Sequence, residues 1–186
     1  MQRYFALALL ILTFLLPAPF TLAAQTDARP LQVGSVFPQF MGKTLTGEPL
    51  ELPTGAAGKP AVVIFSFSKS AGKDAHQWNE RIAKDFPNDV PCYTVIMLES
   101  VPALFRGMVV SGIKSDMPLA VQDRTIVSYQ NESLWKHRLT VTDDSHAYVV
   151  LVGTKGHIRW NKSTAFTDSE YAHLRDELEK LLQPHP

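Results

Sequence analysis

The chain has 186 residues, 45% of them hydrophobic, enough for one domain with a substantial core. Lys plus Arg equals Asp plus Glu at 18 each, and a balanced, unpatterned surface excludes nucleic acid as the natural partner. A single cysteine excludes a dithiol–disulfide cycle within the chain.

Residues 1–24 read as a secretory signal. Arg3 supplies the positive start, Phe5 to Leu16 is an apolar run broken only by Thr13, and Pro17, Pro19, Ala23 and Ala24 follow. The run holds 12 residues, against the roughly 20 that a bilayer span needs. Cleavage is expected, and an uncleaved signal would act as an anchor, the chain's one route to a membrane. No cysteine follows directly on the run, which excludes a lipid anchor there. The expected location is therefore exported, periplasmic or secreted. Removing the signal leaves 17 basic against 18 acidic residues, a formal charge near −1.

Residues 25–32 read as a flexible leader and 33–183 as the folded domain. Val33 to Phe40 leads to a turn at Thr46-Gly47, after which Leu50 and Leu52 alternate. Pro53 to Pro60 is a Gly-, Ala- and Pro-rich loop. Its Gly55-Ala-Ala-Gly-Lys-Pro60 is too short for a phosphate loop and puts Pro60 where a hydroxyl is needed. Ala61 to Phe67 is a β-branched and aromatic run, as suits a strand buried on both faces. A helix follows, with Trp78, Ile82 and Phe86 at i, i+4 and i+8. Val90 to Leu98 is the next strand and completes a βαβ unit.

Cys92 lies in that strand, where a buried thiol behaves as a small hydrophobe; the other reading is a reactive or intermolecular thiol. Leu104, Phe105, Met108 and Val109 mark a second amphipathic helix. Thr125 to Tyr129 suits a short strand, and Leu134-Trp135 part of a short helix. Ala147 to Val152, the turn Gly153-Thr-Lys-Gly156 and His157 to Trp160 form a β-hairpin signature. The capping box Thr167-x-x-Glu170 opens a closing helix whose apolar face is Tyr171, Leu174, Leu178, Leu181 and Leu182. A parallel βαβ half followed by a hairpin and a helix is an α/β sandwich.

In that order, Val33-Gly-x-x-Phe-Pro-x-Phe40, Leu45-Thr-Gly-Glu48, Gly58-Lys-Pro-Ala-Val-Val-Ile-Phe65 and Tyr148 to Ile158 resemble the thioredoxin-like superfamily, above all its TlpA- and peroxiredoxin-type branches. The resemblance implies a three-layer sandwich with a mixed central sheet flanked by helices. In catalytic relatives the strand matching Val62–Phe67 feeds a Cys-x-x-Cys at a helix N-terminus; here Ser70 and Lys73 hold those places. The proline usual before the hairpin strand is Ala147, and the peroxidatic Thr-x-x-Cys is absent. Redox catalysis of the family type is therefore not expected.

Ser133-Leu-Trp135, Tyr148 to Val152 and Gly156-His-Ile-Arg-Trp160, with Phe166 and Glu170 beyond, are similar to a mitochondrial ATP synthase assembly-factor family with a thioredoxin-like core and no redox cysteines. Leu104 to Ile113 is a looser match. This resemblance implies a chaperone-like role toward a membrane complex, with a protein or a membrane-complex subunit as partner and no cofactor.

Candidate partner-binding residues are Ser68, Ser70, Lys73, His146 and Ala147, together with Arg159 and Trp160, whose cation and indole could instead stack at the sheet edge. Ser70-x-x-Lys73 also matches a serine–lysine nucleophile pattern, but its companion motifs are missing. His76 and His146, with Asp74, Asp143 or Asp144, form a weak candidate for a divalent metal, and no tight His-x₃-His spacing supports it. The alternatives to a binding protein are a thiol oxidoreductase using Cys92 and a periplasmic metal carrier.

Overall fold

A computed structural model describes residues 28–53 and 58–183. The signal reading at 1–24 and part of the Pro53–Pro60 loop lie outside the described residues. Seven strands form one mixed sheet: β1 (Phe40–Thr44), β2 (Pro49–Leu52), β3 (Ala61–Ser66), β4 (Cys92–Met97), β5 (Thr125–Ser128), β6 (Tyr148–Val152) and β7 (Ile158–Ser163). Their order is β2-β1-β5-β4-β3-β6-β7. β3, β4 and β5 run parallel, and β1 and β6 flank them antiparallel.

Side chains alternate across β3 and β6, so the two faces of the sheet bury different sets. On one face Val62, Ile64, Val149 and Leu151 meet Trp78 and Ile82 of α1 (Lys69–Asp85) and Tyr171, Leu174 and Leu178 of the closing helix, α5 (Asp168–Leu182). On the other, Val63, Phe65, Val95, Met97 and Val150 meet Phe37, Phe40 and Trp135. Trp135 belongs to α4 (Glu132–Arg138) and stacks on Phe65 at 4.9 Å between ring centroids. Helices on both faces of a mixed sheet make the three-layer α/β sandwich that the sequence implies. Among the described residues no helix is long and apolar enough to cross a membrane.

The expected start of the closing helix is seen. Thr167 Oγ1 accepts the Glu170 N–H at 3.1 Å, although the Glu170 carboxylate turns to Lys162 instead of closing the box. Trp78 and Trp135 are core, as the strand and helix patterns require.

The turn expected at Thr46-Gly47 joins β1 to β2, and ahead of them Val36 makes one isolated bridge to His157. One expectation changes. The second helix, α2 (Ala103–Ser115), buries no residue. Its Val109, Val110 and Ile113 are half-buried, while Leu104 and Met108 are 86% and 69% exposed. The amphipathic pattern is real, but its larger side chains point outward. A four-residue helix, α3 (Leu119–Gln122), links α2 to β5.

Candidate functional site

The site lies where the carboxyl end of β3 passes into α1. Ser68, extended at φ −147°, caps α1 by accepting the Ala71 N–H at 3.1 Å. Its hydroxyl donates to the Asp144 carbonyl at 2.6 Å, so the 2.9 Å contact between Ser68 and Ser70 is made with the Ser70 proton. Each hydroxyl already has a partner, and neither serine has a base aligned to activate it. The nucleophile reading of Ser70-x-x-Lys73 finds no support in this geometry.

The facing loop is held from several sides. Asp143 accepts the Ser145 N–H at 2.9 Å and the Ser145 hydroxyl at 2.7 Å. The N–H first and the hydroxyl second hold its carboxyl below the ordinary carboxylate range. The Tyr148 hydroxyl donates to the Asp143 carbonyl at 2.8 Å. Lys136 bridges Glu132 at 3.0 Å and Asp144 at 3.4 Å, with its ammonium 5.5 Å from the Phe67 ring centroid. The hydrogen bond to Glu132 is the main cause that raises the Lys136 pKa.

Asp74, one turn into α1, ties the site together. It is 8% exposed, and its two carboxylate oxygens accept the Ala147 N–H at 2.8 Å and the Phe166 N–H at 2.5 Å. One side chain thus locks α1 to the start of β6 and to the segment leading into α5. Asp74 stands four residues before Trp78 on the buried stripe of α1, and an acid at that position is the signal that sequence reasoning had available.

Of the candidate residues, the fold gathers Ser68, Ser70, Lys73, His146 and Ala147 at this end of the sheet. Ala147 is fully buried and offers only backbone, whereas Lys73 is exposed. Arg159 and Trp160 lie elsewhere. Trp160 pairs with Leu151, well along β6, and its ring sits 6.3 Å from that of Trp78. The Arg159 stem lies across Gly153, close enough that a Cβ there would meet its Cγ at 3.0 Å. His76 and His146 each face a carboxylate nearby in sequence, Glu80 at 3.4 Å and Asp143 at 3.8 Å. Among the described residues no group of three or more His, Cys, Asp or Glu side chains could hold a metal ion.

Cys92 is far from this surface. It pairs with Val62 at the start of β3, while Ser66 at the other end precedes the site, a separation of about 13 Å along the strand. Burial pushes its thiol up to about 12, against which Arg124 works only weakly.

A family model described as ATP10 protein matches residues 30–181. The chain belongs to the ATP10 protein family. Solved structures agree on the fold of this ATP10-family chain. A putative thiol:disulfide interchange protein DsbE from Chlorobium tepidum is similar at TM-score 0.62 and 13% identity, over 82% of this chain and 99% of that one. A peroxiredoxin-like protein from Aquifex aeolicus gives 0.55 and 14%, over 80% and 88%. BsSco, a member of the Sco family of cytochrome c oxidase assembly proteins, gives 0.54 and 13%, over 83% and 97%. No curated protein matches the chain.

Proposed function

We propose that this ATP10-family chain is an exported, redox-inactive assembly factor that binds a subunit of a membrane complex, ATP synthase being the first candidate. The observation that carries the reading is the surface at Ser68–Lys73 and Asp143–Ala147. It keeps the rigid framework of a thioredoxin-like site, locked by Asp74, but presents hydroxyls, an exposed ammonium and an imidazole where catalytic relatives place thiols. Electron transfer through this surface has no group to carry it, because the chain's one thiol lies at the other end of the sheet and is held protonated. Contact with an extended partner remains available, since Lys73 and Ser70 are exposed beside the held loop.

The test is a strain lacking the chain, complemented with wild type, Ser70→Arg or Lys73→Glu, with assembled ATP synthase measured on native gels. The reading expects assembled complex to fall without the chain and to return with wild type, but not with the charge-altering variants. Normal levels of complex in the deletion strain would remove the ATP synthase assignment. Full rescue by both variants would remove this surface from the function.

A further inference from the structure

A second feature is the outward face of α2. The helix is fixed to the domain by its inner side, where Val109, Val110 and Ile113 are half-buried. Arg106, on the same side, donates to the Val101 carbonyl at 2.8 Å and the Glu99 carbonyl at 3.0 Å, with its guanidinium 4.9 Å from the Tyr129 ring centroid. At about 3.6 residues per turn, the opposite side of the helix carries Leu104, Met108, Ser111 and Ser115. All four are exposed.

The steps between them, of four, three and four residues, are those of a coiled-coil seam. The seam has a large half, Leu104 and Met108, and a small half, Ser111 and Ser115. Gly107 and Gly112 flank it, and a Cβ added at either would meet no packed neighbour within 4 Å. No charged residue lies on the seam: α2 carries Arg106 on its inner side, Lys114 at the margin and no acid. The two ends of the helix are also opposite in character. Pro102 stands at the N-cap, no side chain caps the helix and its first turn holds no acid, which leaves the positive end of the dipole open. At the other end Asp116, exposed, follows directly on Ser115.

This face is self-complementary under a two-fold axis. Packing α2 antiparallel on a second copy sets Leu104 against Ser115 of that copy and Met108 against its Ser111, so each large side chain fills the space beside a small one. The same register brings Asp116 of each copy to the open N-terminus of the other, where the helix dipole favours a carboxylate. A lipid surface would take up Leu104 and Met108 but gain nothing from the serines or from Asp116. We propose that the chain forms a homodimer through this antiparallel α2 pair. The dimer goes beyond the assembly-factor reading and does not depend on the Ser68–Ala147 surface.

The experiment is analytical ultracentrifugation of the full chain over a concentration series, for wild type, Met108→Asp, Asp116→Lys and Met41→Asp. All three substituted side chains are exposed, so the variants should fold, and Met41 lies on β1, outside α2. Wild type and Met41→Asp are expected to dimerise equally, with a Kd below about 0.5 mM. Met108→Asp should dimerise at least about tenfold more weakly. Asp116→Lys should weaken the dimer about threefold or more, because each dimer holds that contact twice. The proposal is overturned if wild type associates more weakly than that limit, or if Met41→Asp is as impaired as Met108→Asp. It is overturned too if association persists unchanged in Met108→Asp, which would assign it to another part of the chain, the apolar run at 5–16 included. Unchanged association in Asp116→Lys would refute the antiparallel register. A monomeric chain that sediments with anionic phospholipid vesicles, and loses this in Met108→Asp, would give the face to a lipid surface instead.

Discussion

Replacing Asp74 by alanine removes the one side chain that accepts from both the Ala147 and Phe166 N–H groups, at 2.8 and 2.5 Å. A hydrogen bond to a charged group contributes about 1.5–3 kcal/mol, and a buried donor left without an acceptor costs about 1–3 kcal/mol. Ala147 is fully buried and Phe166 half-buried, so water can replace the lost acceptor more readily at the second than at the first. Asp74→Ala should therefore lower the unfolding free energy by about 3–5 kcal/mol, which for a domain of this size lowers Tm by roughly 10 °C. Asp74→Asn keeps one carbonyl oxygen and turns an amide N–H₂ toward the other donor, so about half that loss is expected. Urea denaturation at fixed pH measures both, with the slope m compared to confirm a common unfolded state. A loss below about 1 kcal/mol in Asp74→Ala would refute the view that this carboxylate locks the site.

Cys92 is half-buried, yet in the folded protein it should resist a thiol-labelling reagent at pH 8 and react fully in denaturant, because a thiol pushed up to about 12 holds only about one thiolate in ten thousand there; rapid stoichiometric labelling of the native chain would contradict the raised thiol. Gly42→Ala should destabilise by about 1–3 kcal/mol, since an added Cβ would stand 2.3 Å from Ile126 Cγ2, and a neutral thermal melt would show that β1 shifts freely. Asp143, whose folded pKa is lowered by its bonds to Ser145, stabilises the fold above its ordinary value of 3.8 and loses that contribution as pH falls through the lower folded value. Asp143→Asn should therefore be less stable than wild type at neutral pH and equal to it in strong acid, and an unchanged gap across a pH series would refute that linkage. Trp78→Ala empties the centre of a cluster with Trp160, Phe166 and Tyr171 and should cost about 3–5 kcal/mol in the same denaturation assay.

The sequence shows most where one local rule acts without competition. The β-branched and aromatic run from Ala61 to Phe67 suits a central strand, and Thr167 with Glu170 marked a helix start that the backbone adopts. The departures have physical causes. The α2 pattern marked helix correctly, but periodicity records that apolar residues share a face and not which way that face turns; Leu104, Phe105 and Met108 face outward. The Val33–Phe40 stretch is tied to Gly156–Ile158 by backbone hydrogen bonds from Gly34 to Phe37 but forms only an isolated bridge there, and continuous pairing begins at Phe40 with β2. Arg159 and Trp160 drew notice by residue type, and their distance from Ser68 depends on strand register, which no local pattern contains.

By itself the sequence determined the βαβ–hairpin–helix order, the core tryptophans and the absence of paired cysteines, since these depend on residue types, their period and their count. Only the tertiary structure decided that Asp74 is a lock and not a metal ligand, because its partners are backbone N–H groups 73 and 92 residues away. It alone placed Cys92 at the opposite end of the sheet from Ser70. Contacts between residues distant in the chain are set by how the sheet assembles, and that assembly minimises the free energy of the whole domain and not of any one segment.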